Sequence, residues 1–454
     1  MRIPDFARRT LGIGGAAALL SGCGGLQGLT GQAVSAQRLA PPPSNSAGEH
    51  VLYRFKGGRD GSRSYAALLD VNGTLFGTTA GTIFSIETSG LGYNVLHRYP
   101  KSGKGGVWPL DLAYANGELY GTTAYGGNFS RRDGQHKPAT DCPRTVINGC
   151  GTIFKMDPSG SPYNILYRFA RAPGGIQPTT ALLDVNGRFY GATGEGGTGK
   201  YCRLGTGEGS RTPIPGCGTL YEVSPTSGKV RVLYSFPGAE GTDFKKGFFP
   251  DGMINVNGTL YGTTVLGGSE VCAGVSGLVG CGTIFRMNPS GDGYHVVYRF
   301  KGQSDGGRPN NLIDVNGTLY GTTAHSASYG CDGFHGCDTL FKFDIASGRE
   351  TVLHRFRGGR DGLSPNSLLA YANGTLYGTT LSGGDLSCRS DYVGCGTVFK
   401  FDIASGKEQV LYRFKGGSDG AAPYNGVIEV NGVLYGTTAG GGTNDYGTVF
   451  SLSP

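Results

Sequence analysis

A pentapeptide, Leu-Tyr-Gly-Thr-Thr or a close variant, recurs seven times in the 454 residues, centred on Gly77, Gly121, Gly191, Gly262, Gly321, Gly378 and Gly436. The copies lie 44 to 71 residues apart. Self-similarity at that spacing marks a repeat architecture, in which each unit buries its apolar face only against its neighbours. The chain must therefore fold as an array or a ring of like units.

The stretch 365–416 shows the parts of one unit. Residues 367–373 are rich in apolar side chains and end in Asn373-Gly374, the strongest short hairpin signal. A second strand of β-branched and aromatic residues, Thr-Leu-Tyr-Gly-Thr-Thr, spans 375–380. A Gly-rich loop leads to a third, Gly-Thr-Val-Phe-Lys-Phe-Asp at 396–402, and the turn Ala404-Ser405-Gly406 to a fourth, ending Val-Leu-Tyr-Arg-Phe at Phe414. No segment carries helical periodicity over a dozen residues. Four short antiparallel strands, repeated seven times, predict an all-β, seven-bladed β-propeller. An open β-solenoid is the alternative.

The ends choose between them. The first repeat material, His50–Phe55, reads as a fourth strand without its first three, and the chain closes on Gly447–Leu452, a third strand without its fourth. Together they complete a seventh blade, which would close the ring and hide both sheet edges. The Gly inside each second strand costs roughly 0.5–1 kcal/mol and buries no side chain. Strand Gly marks close approach of another group, and an aromatic side chain from the adjacent blade is the expected one.

The motif string resembles the GloVer tandem repeat of exported "choice-of-anchor" proteins. The matching residues are the Asn-Gly-Xaa-Leu-Tyr-Gly-Thr-Thr core, the following Gly-Gly, the Gly-Thr-Val/Ile-Phe strand, and Leu-Tyr-Arg-Phe before Gly-Gly-Xaa-Asp-Gly. The resemblance covers about residues 50–454 and implies export and surface anchoring, with no defined activity. Departures fall at Phe189-Tyr190-Gly191-Ala192-Thr193 and at Asp338-Thr339, where Asp replaces Gly.

The first 22 residues read as an export signal: a basic start, an apolar run from Leu11 to Leu20, then small residues. Leu20-Ser21-Gly22-Cys23 resembles the lipobox of bacterial lipoproteins, which implies lipidation of Cys23, and Gly24 lacks the acidic residue of an inner-membrane retention signal. An outer-membrane lipoprotein of the cell envelope, facing periplasm or cell surface, is the expectation. An ordinary cleaved signal is the alternative, and Arg8-Arg9 admits either twin-arginine or general secretory export. Residues 23–47, with Pro41-Pro42-Pro43, form a flexible tether, and 48–454 the propeller. The net charge of +7 is spread thinly, with no basic stripe for nucleic acid. A monomer anchored to the membrane by lipid is expected.

Strand alternation puts the Asn-Gly hairpins on one face, and the long loops after the second strands on the other, with the blade crossings. Function is expected where long loops stand on a rigid scaffold. Those loops are long in units two to six, nearly absent in unit one and short in unit seven, so they should wall a crescent with a gap at the seam of seven and one. They hold ten of the eleven Cys, two per loop: Cys142 and Cys150, Cys202 and Cys217, Cys272 and Cys281, Cys331 and Cys337, Cys388 and Cys395. Export favours disulfides, and within-loop pairing is simplest, each bridge worth ~2–3 kcal/mol. Zinc is the alternative, with His325 and His335 flanking one loop; no metal or cofactor is expected.

Candidate binding residues are Trp108, which could stack on a sugar or equally plug the ring, and the residue three before each hairpin Gly: Asp70, Tyr114, Asp184, Asn255, Asp314, Tyr371 and Glu429. The latter either line the central channel, to meet a cation or sugar, or cap the turn. Asp60, Asp361 and Asp419 in Gly-Xaa-Asp-Gly crossings, and Asp305 in the variant Gln-Ser-Asp-Gly, are turn formers first and calcium ligands second. No nucleophile elbow, zinc helix or phosphate loop occurs. A non-catalytic module binding a glycan or protein is the first functional reading. An enzyme acting on a polysaccharide or lactone is the second, by analogy of fold.

Overall fold

The computed structural model describes residues 48–454 except 101–102, 104, 128–148, 171–173, 200, 203–213, 238–242, 270–271, 273–279, 303, 325–337, 366–367 and 389–392, and leaves aside the side chains of 201–202 and 214–215. Seven antiparallel sheets form a β-propeller, six of them with their strands in chain order from the channel outwards. Blade two is typical: Val107–Ala115, Glu118–Tyr125, Thr152–Met156 and Tyr163–Arg168. In blade three the inner strand is split into Ile176–Pro178 and Leu183–Val185. The seventh sheet orders Ile428–Val430, Val433–Thr438 and Thr448–Leu452, then takes Glu49–Arg54 from the N-terminal side as its outer strand. Its register runs from Glu49 opposite Leu452 to Arg54 opposite Thr448, with a bulge at Leu52.

The pentapeptide can now be read atom by atom. Its Gly lies opposite the aromatic residue of the third strand, as Gly77 opposite Phe84 and Gly262 opposite Phe285. A Cβ on any of the seven would sit closer than 3.0 Å to that ring: Phe84, Phe154, Tyr221, Phe285, Phe341, Phe399 or Phe450. The close partner is therefore in the same blade, not in the adjacent one as expected. The reason is register, since a ring opposite a strand Gly lies flat across the space that a side chain would fill. The adjacent blade contributes the next layer. The aromatic residue ending each fourth strand packs on the third-strand ring of the following blade, as Phe300 on Phe341 at 5.1 Å and Phe356 on Phe399 at 5.0 Å.

The last Thr of the pentapeptide bonds the first Thr of the third strand, side chain to side chain, in all seven blades at 2.8–2.9 Å. In blades one, two and seven the Thr before it reaches the chain of the next blade at or beside its inner strand: Thr78 donates to Pro109 O at 3.3 Å, Thr122 to Thr180 O at 3.1 Å, Thr437 to Ala66 O at 3.3 Å. That last bond joins blade seven to blade one.

A second device fastens the outer rim. In four crossings the Asp of Gly-Xaa-Xaa-Asp-Gly takes a hydrogen bond from the backbone four residues earlier and meets the outer-strand ring seven residues earlier. Asp60, Asp305 and Asp419 accept from Tyr53, Tyr298 and Tyr412 at 2.6–2.7 Å, and Asp361 meets His354 at 3.3 Å. Both oxygens are thereby engaged. In three of the seams a Glu of the following outer strand is pressed against this pair, Glu49 and Glu350 beside a Tyr and Glu408 beside His354. Burial, then the Asp419 charge, pushes Glu49 up to about 8. Burial, then Asp305, pushes Glu350 up to about 7. Tyr412 and Arg54 face Glu49; Tyr298, Lys301 and Arg355 face Glu350.

A carboxyl raised on folding stabilises the native state while it stays protonated. That stability is complete below the ordinary carboxyl range and is lost as pH rises through about 7 and 8. Stability measured by chemical denaturation should therefore fall between weakly acidic and alkaline pH. The double variant Glu49→Gln, Glu350→Gln should flatten that fall and be the more stable protein at alkaline pH, by on the order of 1 kcal/mol for each partly solvated group. A variant that follows the parent's pH profile would contradict the assignment.

Candidate functional site

On the crossing side, the chain entering each blade at or ahead of its inner strand holds one residue in the left-handed region: Arg63, Trp108, Gln177, Phe249, Arg308, Ser364 and Ala422, with φ between 54° and 60°. Six of the seven precede Pro in the pattern Gly-Xaa-Xaa-Pro. A non-Gly residue held there costs on the order of 1–3 kcal/mol and persists only where its surroundings impose it. Here the imposition is a pair of backbone bonds. The N–H groups of Gln177, Phe249, Arg308 and Ala422 donate to the carbonyls of Cys150, Cys217, Cys281 and Cys395 at 2.8–3.1 Å. The carbonyls of Arg308, Ser364 and Ala422 accept from Ala324, Leu381 and Ala439. One position in every blade thus shares a backbone conformation while its side chain differs from blade to blade, from Ala to Trp.

The second Cys of four loops, Cys150, Cys217, Cys281 and Cys395, anchors this ring. Cys272–Cys281 and Cys388–Cys395 are disulfides with Cα separations of 4.8 and 5.8 Å, and Cys150 and Cys217 are disulfide-bonded. Each cross-link holds the residue whose carbonyl sets the next blade's ring position. Cys23, Cys142, Cys331, Cys337 and the side chain of Cys202 lie outside the described residues, as does most of the expected crescent of long loops.

The aromatic occupants cluster. Tyr65 stacks on Trp108 at 5.5 Å between ring centres and meets Tyr424 edge-on at 5.1 Å; Trp108 meets Tyr125 at 6.4 Å. Rings from blades seven, one and two therefore form one continuous apolar surface. Tyr65, Trp108 and Tyr125 are half-buried, and the Trp108 indole N–H has no hydrogen-bond partner among the described residues. From blade three, the Gln177 amide donates to the Tyr125 hydroxyl at 2.6 Å. Burial pushes Glu195 up to about 7, and burial together with the Glu195 charge pushes Tyr125 up to about 12. Aromatic faces beside an amide, an indole donor and a neutral carboxyl suit a ligand with both C–H faces and hydroxyls.

Deeper on the inner strands lie Asp111, Asp251 and Asn311, all buried. Burial, with the Asp111 charge adding, holds Asp251 well above the usual carboxylate range. The Ala67 N–H donates to Asp111 at 2.5 Å.

Of the candidates read from sequence, only Trp108 belongs to this cluster. Asp70, Asp184, Asn255, Asp314 and Glu429 each accept the N–H of their hairpin Gly (Gly73, Gly187, Gly258, Gly317, Gly432). Tyr114 packs beside Leu112 and Leu119, and Tyr371 is exposed. The mouth residues Tyr65, Tyr125, Gln177, Glu195 and Tyr424 were not singled out. Gly-Xaa-Xaa-Pro is the signal that could have found the ring they surround.

The fold and the repeated unit define a seven-bladed propeller built from tandem repeats. The chain belongs to the Gloeobacter/Verrucomicrobia repeat family, whose profile matches residues 205–450. No curated protein sequence matches it. Among solved structures it is similar to an oligogalacturonate lyase in complex with manganese: TM-score 0.51, 11% identity, 91% of this chain and 95% of that one covered. A GH74 enzyme from Niastella koreensis gives TM-score 0.51 at 11% identity, over 88% of this chain and 53% of that one. The extracellular domain of a putative one-component system from B. thetaiotaomicron gives 0.51 at 10%, over 88% and 40%. At these identities the likeness is one of fold. Disulfides agree with an extracytoplasmic setting. No helix among the described residues is long and apolar enough to cross a membrane.

Proposed function

We propose that this chain is a glycan-binding module of the cell envelope, held to the membrane by lipid on Cys23 and presenting the crossing-side mouth of its channel to the ligand. The observation that carries the reading is the run Tyr424, Tyr65, Trp108, Tyr125, drawn from three blades and bordered by Gln177 and Glu195. Flat aromatic surface with a few fixed polar groups is what sugar rings require, and the scaffold orders it before the ligand arrives.

A glycan and peptidoglycan array probed with the purified protein should show saturable binding. Trp108→Ala should weaken it by about tenfold or more, while the thermal midpoint, measured alongside, reports whether the fold survives. Absence of binding to any glycan, or binding indifferent to Trp108→Ala, would sink the reading. An enzymatic reading has one observation in its favour, the raised Glu195, which suits a general acid. Among the described residues the aromatic cluster offers no second carboxyl. Release of reducing ends from a bound polysaccharide, lost in Glu195→Gln, would replace binding by catalysis.

The lipid anchor rests on Leu20-Ser21-Gly22-Cys23 and the tether that follows. One acyl chain anchors marginally and several anchor stably. Mass spectrometry of the mature N-terminus should find an acylated Cys23; cleavage elsewhere or an unmodified Cys23 would refute it.

A further inference from the structure

The outer rim has one seam that departs from its neighbours. Between blades four and five, and between six and seven, the outer-strand ring facing the crossing Asp is Tyr298 or Tyr412, with Glu350 or Glu49 beyond it. Between blades five and six the same positions hold His354, Asp361 and Glu408. Glu408 stands opposite Phe401 as Glu350 stands opposite Phe343, so the frame is the same.

The exchange of Tyr for His changes the chemistry. Tyr298 and Tyr412 donate to their Asp at 2.6 and 2.7 Å, and burial raises both phenols, so they are poor ligands for a cation. His354 does not reproduce that short bond. Its Nε2 stands 3.3 Å from both Asp361 oxygens and 4.0 Å from a Glu408 oxygen. The three groups offer one nitrogen and two carboxylate oxygens, all within 4.8 Å of one another. The Glu408 side chain is only 10% exposed, and its other oxygen, Oε1, is buried without a hydrogen-bond partner. The remaining Asp361 contact, from the Arg357 N–H at 2.8 Å, fixes the carboxylate from behind.

We propose that His354, Asp361 and Glu408 form a binding site for a divalent transition-metal ion at the rim between blades five and six. Tetrahedral zinc lies about 2.0–2.1 Å from nitrogen and oxygen ligands, which places the ligands about 3.3 Å apart. His354 and Asp361 already have that separation, and Glu408 would have to close in from 4.0 Å to His354 and from within 4.8 Å to Asp361. Three protein ligands leave one position for water. The ion would cross-link two outer strands and the crossing between them, where the neighbouring seams rely on a phenol and a protonated Glu. This inference is independent of the glycan reading.

The test uses the full chain without an affinity tag, freed of metal by a chelator, and Zn²⁺ alone as the probe. Calorimetric titration should find one saturable site, and Zn²⁺ should raise the thermal midpoint. His354→Tyr installs the residue of the neighbouring seams and so should fold; it should abolish the Zn²⁺-dependent rise and the saturable binding. Glu408→Gln should weaken binding by at least about tenfold. No saturable binding by the parent chain overturns the proposal, with His354 then serving as a plain partner of the two carboxyls. Equal Zn²⁺ binding by parent and His354→Tyr also overturns it, since the ion would then sit elsewhere.

Discussion

Everything in this ring depends on an aromatic side chain lying across a backbone that has no side chain. The third-strand ring of each blade occupies the space where the pentapeptide Gly would carry Cβ. Because it lies there, its edge is presented to the previous blade's terminal aromatic, at 5.0 to 6.4 Å around all seven seams. Edge-to-face pairs of this kind add about 0.5–1.5 kcal/mol beyond their buried area. The cost of Gly in a strand is thus offset twice, within the blade and between blades. Phe414 on Phe450 and Phe55 on Phe84 carry the contact through the blade shared by the two ends of the chain.

A scaffold fastened this way at its centre leaves its inner mouth free to vary. The left-handed residue ahead of an inner strand is held through its backbone groups, by main-chain carbonyls at Arg63, Gln177, Phe249, Arg308 and Ala422 and by the Asp338 carboxylate at Ser364, so one backbone conformation accepts different side chains. That is where Arg, Trp, Gln, Phe, Ser and Ala succeed one another at an identical backbone position. The disulfides serve the same end, because each holds the Cys whose carbonyl clamps the next ring position. The rim behaves likewise: one frame accepts Tyr-Asp-Glu in two seams and His-Asp-Glu in a third. Repetition sets the backbone, and departures from it mark where chemistry can reside.

How much of this was legible depended on how local each interaction is. Hairpins were readable because Asn-Gly must adopt positive φ at both residues, as Asn72 and Gly73 do at 54° and 82°. Blade number and the role of both chain ends followed from strand counting. The Gly was recognised as a site of close approach, but its partner was placed in the wrong blade, since register across a sheet is not written in either strand alone. The Tyr-to-Asp clamp spans seven residues and was visible as a repeated string, yet its meaning lies in a hydrogen bond that closes a crossing. The Tyr65, Trp108 and Tyr424 cluster was beyond reach, because it joins residues from opposite ends of the chain.

The most direct test is a double-mutant cycle at Gly262 and Phe285, measured by denaturant unfolding. If the ring fills the place of the missing side chain, Gly262→Ala should cost about 1–3 kcal/mol by overpacking. Phe285→Leu, which vacates that place, should make the added methyl far less harmful, so the double variant should be more stable than the sum of the single losses predicts by ~1 kcal/mol or more. Strict additivity, or a Gly262→Ala variant as stable as the parent, would contradict the account.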